Sequence, residues 1–205
     1  MKLYYSPGAC SVGIHVLLEE IGKPYETQLV KLREGEQQKP EFTAINPKGK
    51  VPVLKLDDGA ILTEWLAIAG YLAAANPEAG LVPEDRMEWA RGMEAMAFIN
   101  GTMHAQGFAR IFRPERFSPS SDDKEKVQEE GRKIFADGFA LMEKALDGRE
   151  WLLGHYSVAD AALFYVSFWA DARKAADLPP GVAAHYERMR ARPAVQRAMQ
   201  AEGIA

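Results

Sequence analysis

The sequence predicts an α/β unit followed by an all-α unit, and three observations carry that reading. Residues 1–76 alternate strand-like and helix-like stretches, a Pro- and Gly-containing segment at 77–83 interrupts them, and residues 84–205 carry apolar positions at helical spacing with no convincing strand. Alternating texture that gives way to purely helical texture implies two architectures in one chain.

Element by element, Leu3-Tyr4-Tyr5 is a short apolar strand, and SVGIHVLLEEIG has helical spacing with Gly22 as its stop. PYETQLVKL alternates like a strand, and EFTAINPKGK reads as a short helix that ends in a loop. VPVLKLDDGAIL is a hairpin, two short apolar runs joined through Asp58-Gly59, a pair that favours positive φ in a tight turn. Helical texture returns at TEWLAIAGYLAAA, so the order is βαβ followed by ββα. Beyond the linker, helical segments are expected over Glu84–Phe112, Asp122–Leu146, Val158–Ala176 and Gly181–Glu202.

The bulk properties narrow the function classes. The chain has 205 residues, enough for one sizeable core or two small ones. Apolar residues make up 47% and charged residues 26%, which fits a folded globular protein and not a disordered or fibrous one. A net charge of −4, with Lys and Arg scattered, offers no basic footprint for nucleic acid. No apolar run reaches the ~18 residues of a membrane span, and MKLYYSPG turns to Pro and Gly too soon for a signal peptide, so a cytoplasmic protein is expected. One cysteine suits a reducing compartment and excludes an intrachain disulfide. The four histidines, His15, His104, His155 and His185, lie far apart without ligand spacing, so no metal site is expected.

The single cysteine, Cys10, sits in SPGACS at or near the first turn of the first predicted helix. Unpaired backbone N–H groups and the positive end of the helix dipole favour a thiolate there, whereas a lone cysteine in a core is an inert small hydrophobe. Pro, Gly and Ser around it describe a turn and favour the first reading. The second cysteine of a dithiol pair would fall three residues on, where Gly13 stands, so any redox cycle needs an external thiol such as glutathione.

The combination of YSPGACS, NPKGKVPVL, LTEWLAI, FINGTMH and GHYSVADAALF, in this order and spacing over nearly the whole chain, resembles the bacterial glutathione S-transferases of the beta class. The resemblance implies a thioredoxin-like N-terminal domain that binds glutathione (1–76), a linker (77–83) and an all-helical domain (84–205) that contributes the pocket for a hydrophobic second substrate. It also implies a homodimer, with glutathione as co-substrate, no metal or other cofactor, and a role in detoxification.

Carried over residue by residue, the resemblance makes Cys10 the sulfur beside that of glutathione, able to form a mixed disulfide with it. Other classes of the family activate glutathione through a tyrosine or serine near the end of strand one, and Tyr5, Ser6 and Ser11 stand close to those places; Cys10 is the expected catalytic residue, with Tyr5 and Ser11 as supporting contacts in the glutathione site. Val51-Pro52 matches the family's cis-proline, where main-chain bonds hold the cysteinyl backbone of glutathione. Glu64 and Trp65 open the third helix and meet the γ-glutamyl end; the family usually has Ser or Gly where Trp65 stands. Arg33, with Lys31 nearby, is the cation for the glycine carboxylate. His104 matches the histidine that approaches the glutathione sulfur. Phe112 and Trp169 line the electrophile pocket. Two assignments temper this. Ala95-Met96-Ala97 replaces the family's Trp-Leu-Asn and with it an intersubunit asparagine, and Ser157–Asp160 is a capping box that belongs to folding.

The expected reaction is attack of glutathione on small hydrophobic electrophiles, with glutathione-dependent disulfide or peroxide chemistry through Cys10 as a second activity. A non-enzymatic carrier or protein-interaction module of the same fold is the alternative.

Overall fold

A computed structural model describes all residues, 1–205, and divides by internal contacts into two compact units. The first joins Met1–Val82 to the C-terminal Arg190–Ala205; the second is Pro83–Met189.

In the first unit, β1 (Lys2–Tyr5), β2 (Glu26–Leu29), β3 (Val53–Lys55) and β4 (Ile61–Thr63) form one sheet in the order β2-β1-β3-β4. β1 runs parallel to β2 and antiparallel to β3, which pairs antiparallel with β4. The parallel pair needs a crossover, supplied by α1 (Ser11–Ile21). α1 is buried from Ser11 to Leu18 and stops at Gly22, whose φ of 71° lets its N–H close on the Leu18 carbonyl. The β3–β4 hairpin turns at Asp58-Gly59 as its sequence predicts: Gly59 has φ 89°, and the Asp58 carboxylate accepts from the Ala60 N–H at 2.9 Å.

Between β2 and β3 the chain makes two 3₁₀ turns and the short α2 (Pro40–Thr43). Phe42 of α2 packs with Val30, Val51 and Val53 in a buried cluster that fixes the approach to β3. α3 (Trp65–Ala75) follows β4 and packs against α1.

The apolar spacing over Gly181–Glu202 predicts one helical segment. The structure breaks it into α8 (Pro180–Ala191) and α9 (Pro193–Glu202). Pro193 lacks the N–H that would continue α8, and Arg192 before it is extended at φ −69° and ψ 132°. The break lets α9 lie on α1, fastened by Arg192 to Glu20 and by Arg197 to Glu19, both at 2.6 Å.

The second unit begins with α4 (Arg86–Phe98), capped by the Asp85 carboxylate on the Met87 and Glu88 N–H groups. The single helix expected over Glu84–Phe112 changes character at Ile99. Residues Ile99–Phe108 form a π-helix, and α5 (Ala109–Phe112) follows. Gly101 and Gly107 lie in this stretch, and glycine weakens the preference for α geometry. The wider turn packs on α6 (Lys124–Leu146), where close approach depends on glycine: a Cβ on Gly131 would stand 2.8 Å from the Gly107 carbonyl oxygen, and one on Gly138 would stand 2.5 Å from Met103 Cγ.

α7 (Val158–Arg173) is buried from Val158 to Ala170 and forms the centre of this unit. Asp160 is fully buried and closes the capping box with Ser157. It also accepts from the Leu152 N–H at 3.0 Å and pairs with His185 Nε2 at 3.0 Å. These partners account for a buried carboxylate through folding alone.

Candidate active site

In the first unit the candidate residues gather where β1 ends, α1 begins, β3 begins and α3 begins. The turn Ser6–Cys10 joins β1 to α1. Ser11 holds it shut: its hydroxyl accepts from the Ser6 N–H at 3.2 Å and donates to the Ser6 carbonyl at 3.3 Å. Ser11 is fully buried, so its hydroxyl shapes the turn, a different task from the ligand contact expected of it.

Cys10 is the N-cap residue of α1, as its sequence context indicates, yet it is not a thiolate. It is only 9% exposed, and Sγ donates to the Val51 carbonyl at 3.6 Å. Burial pushes the thiol from 9.0 up to about 12, and the nearby Glu202 charge adds to this, while the N–H groups of Cys10 and Ser11 and the Lys50 charge pull the other way. Desolvation therefore outweighs the helix terminus, and the expected lowering of the thiol pKa is corrected.

The Val51–Pro52 bond is cis, at the entrance to β3. Trp65, whose bulk the family resemblance makes unusual, is 4% exposed and finds its place by donating Nε1–H to the Cys10 carbonyl at 3.0 Å. Glu64 is the N-cap of α3, but its side chain makes no capping bond. It has φ 71° and ψ 127°, a conformation costly for a residue with a side chain. Its exposed carboxylate accepts from Lys48 Nζ at 2.6 Å, and the same ammonium donates to Thr63 Oγ1 at 2.9 Å. Arg33 lies exposed in the 3₁₀ turn Leu32–Glu34, and Lys31 beside it pairs with Glu34.

Beneath the Ser6–Cys10 turn lies Glu202 of α9. One oxygen accepts from the Gly8 N–H at 2.9 Å and the other meets His15 Nδ1 at 2.9 Å. The His15 ring lies 5.5 Å from that of Tyr5. Burial and the Glu202 charge hold the Tyr5 phenol above its ordinary value, so it stays a donor at neutral pH.

In the second unit His104 lies within the π-helix, half-buried, with Nδ1 3.4 Å from the Tyr165 hydroxyl and its ring edge-on to Trp169 at 4.7 Å. Trp169 and Phe112, the two expected pocket aromatics, do not touch as a pair; Phe108 stands between them. It stacks on Trp169 at 4.0 Å and on Phe112 at 4.4 Å, giving a three-ring ladder with Phe112 43% exposed at its end. No three His, Cys, Asp or Glu side chains converge as a metal site would require.

This geometry frames the comparisons with known proteins. The N-terminal domain model of the glutathione S-transferases matches residues 8–75, and the C-terminal domain model matches residues 125–188. Glutathione S-transferase GstA of Escherichia coli O157:H7 is 36% identical over 208 residues, covering all of both chains. The chain belongs to the glutathione S-transferase family. A glutathione transferase homologue from Sulfitobacter, solved with bound glutathione, superposes with a TM-score of 0.91 at 33% identity, over 100% of this chain and 98% of that one. The beta-class glutathione S-transferase of Sphingomonas chungbukensis gives 0.87 at 32% identity, with both chains fully covered. The transferase therefore has the thioredoxin-like sheet and helical domain that the motifs predict, and it is an enzyme.

Sequence reasoning missed Lys48, Phe108 and Glu202 of this transferase. Phe108 was findable, since Phe108 and Phe112 are spaced i, i+4 and share a helix face. Lys48 stands inside the quoted NPKGK motif but gives no local sign of reaching Glu64. Glu202 gives none at all, because its partners lie at the other end of the chain.

Proposed function

We propose that this transferase joins glutathione to small hydrophobic electrophiles. The Val51 main chain takes the cysteinyl backbone of glutathione. Glu64 and the N-terminus of α3 take its γ-glutamyl end, with Trp65 closing that side, and Arg33 takes the glycine carboxylate. Tyr5 and Ser11 keep the Cys10 turn in shape. Phe112 and Trp169, bridged by Phe108, present flat apolar surface to the electrophile.

The single observation that carries this reading is the Cys10 thiol resting on the carbonyl of Val51, beside a cis Val51–Pro52 bond. It puts a sulfur donor next to a backbone edge suited to a peptide-like ligand. A thiol held near about 12 is a hydrogen-bond donor at neutral pH and a poor nucleophile, which favours conjugation over mixed-disulfide exchange. In conjugation the glutathione thiol gives up its proton to a base, for which His104 is the candidate. As the glutathione backbone takes over the Val51 carbonyl, the Cys10 S–H turns from that carbonyl to the thiolate and stabilises it, and the thiolate forms the new C–S bond. The electrophile's leaving group departs with the electron pair, or an addition product takes up the proton.

The transferase works in the cytoplasm as a homodimer, without a metal. None of its helices is long and apolar enough to cross a membrane. Titration with glutathione, followed by calorimetry and intact mass, tests the reading. One glutathione per chain with no mass adduct supports it. No binding, or a stable adduct formed from reduced protein and oxidised glutathione at neutral pH, goes against it.

A further inference from the structure

Lys48 is held in place from its backbone outward. Asn46 is buried and uses both ends of its amide on the turn 46–50: Oδ1 accepts from the Lys48 N–H at 3.2 Å, and Nδ2 donates to the Lys50 carbonyl at 2.7 Å. Gly49 in the same turn has φ 62°, and a Cβ there would stand 2.6 Å from Gln38 Nε2. From this turn the Lys48 side chain crosses to the end of β4, where Nζ donates to Thr63 Oγ1 at 2.9 Å and to Glu64 Oε1 at 2.6 Å. An ammonium carries three hydrogens, and these bonds use two of them. The other Glu64 oxygen, Oε2, accepts from no protein group, and the Glu64 carboxylate makes no capping bond to α3. Both side chains are exposed, so one positive donor and one negative acceptor stand side by side within reach of a ligand. An ion pair this exposed adds little to stability.

We propose that Lys48 is a specificity-determining residue: with Glu64 it forms a dyad of opposite charges that takes the zwitterionic head of the γ-glutamyl residue. Lys48 binds the α-carboxylate through its third N–H, and Glu64 binds the ammonium through Oε2. The inference rests on the function proposed above, which assigns this end of the site to glutathione. An α-amino acid holds its nitrogen and its carboxyl carbon about 2.5 Å apart on one carbon. A head so compact meets two adjacent protein charges at once, and the four charges alternate in sign around a closed ring. A ligand with only one of the two groups leaves a protein charge unmatched. Glu64 alone would accept any amine, whereas Lys48 selects amines that carry a carboxylate on the same carbon. Thr63 keeps Nζ beside Glu64 as the ligand enters, so the Lys48 ammonium is shared with the ligand and not displaced by it.

Calorimetric titration of the wild type and Lys48→Met with glutathione and two analogues tests the dyad. One analogue carries 4-aminobutyryl in place of γ-glutamyl and lacks the α-carboxylate; the other carries glutaryl and lacks the ammonium. Lys48→Met should bind glutathione about tenfold more weakly than the wild type, the loss of one hydrogen bond between charged groups. It should lose affinity for the glutaryl analogue by a similar factor, yet bind the 4-aminobutyryl analogue as the wild type does, which also shows that the variant is folded. In conjugation the glutathione KM should rise with kcat unchanged, because the contact is remote from sulfur. Lys48→Arg, which keeps the charge, should recover part of the loss. Equal losses for glutathione and the 4-aminobutyryl analogue would make Lys48 a support for Glu64 only and overturn the dyad. Undiminished affinity of Lys48→Met for glutathione would overturn it as well. A wild type that binds no glutathione overturns both the dyad and the function on which it rests.

Discussion

Trp65 Nε1 donates to the carbonyl oxygen of Cys10 across 3.0 Å, tying the first residue of α3 to the residue that opens α1. The bond joins two stretches that each supply a candidate contact to glutathione. It also explains how a large ring stands where the family resemblance leads one to expect a small residue.

Trp65→Phe keeps most of the apolar burial and deletes the indole donor to the Cys10 carbonyl, which also accepts from the Gly13 N–H at 3.2 Å. A loss of about 1–2 kcal/mol is expected in urea unfolding, with faster alkylation of Cys10 in the folded protein as the turn loosens. Equal stability and an unchanged alkylation rate would show that the bond does not hold the turn.

The Cys10 thiol gives a pH dependence with a definite sign. Its value rises from 9.0 to about 12 on folding, so between these values the folded state binds more protons than the unfolded. The stability this confers is fully present below about pH 9 and is lost as pH rises toward about 12. In the folded protein, alkylation should climb about tenfold per pH unit from pH 7 to 10 with no plateau. A plateau below pH 9 would mean a thiolate.

Glu64 trades stability for position. Glu64→Gly relieves a positive-φ side chain worth about 1–3 kcal/mol, offset by about 1 kcal/mol of added chain entropy, and loses an exposed Lys48 pair worth little. The variant should be as stable as the parent or up to about 2 kcal/mol more so, while its glutathione KM rises with little change in kcat. Weaker folding together with unchanged KM would make Glu64 a structural residue.

Gly131→Ala tests the seat of the π-helix. The added methyl would meet the Gly107 oxygen at 2.8 Å and Arg110 Cβ at 2.7 Å, and backbone cannot yield cheaply. Despite a helix-propensity gain of about 1 kcal/mol, a net loss of about 1–2 kcal/mol is expected in thermal or urea unfolding. A more stable variant would mean that the two segments separate easily.

What could be read in the sequence was local. The strand, helix and hairpin signals of residues 1–75 are carried by neighbours a few positions apart, such as Asp58-Gly59 and Gly22, and the structure has them in place. Distant partners were not legible. Glu202 reaches Gly8 and His15 across nearly the whole chain, and the thiol state of Cys10 depends on how much surrounds it, which a helix-start pattern does not report. The π-helix was hidden for a related reason. Its hydrophobic spacing passes for α, and the glycines of α6 that seat it lie far along the sequence.

The most direct test is the initial rate of conjugation of an activated aryl halide as glutathione is varied, with wild-type protein beside Cys10→Ala. Saturation in glutathione for the wild type is expected, with a lower kcat in Cys10→Ala because the S–H donor to the glutathione sulfur is gone. A rate that stays first order in glutathione at all concentrations and equals the protein-free rate, for a protein shown to be folded, would contradict the assignment of this site to glutathione transfer.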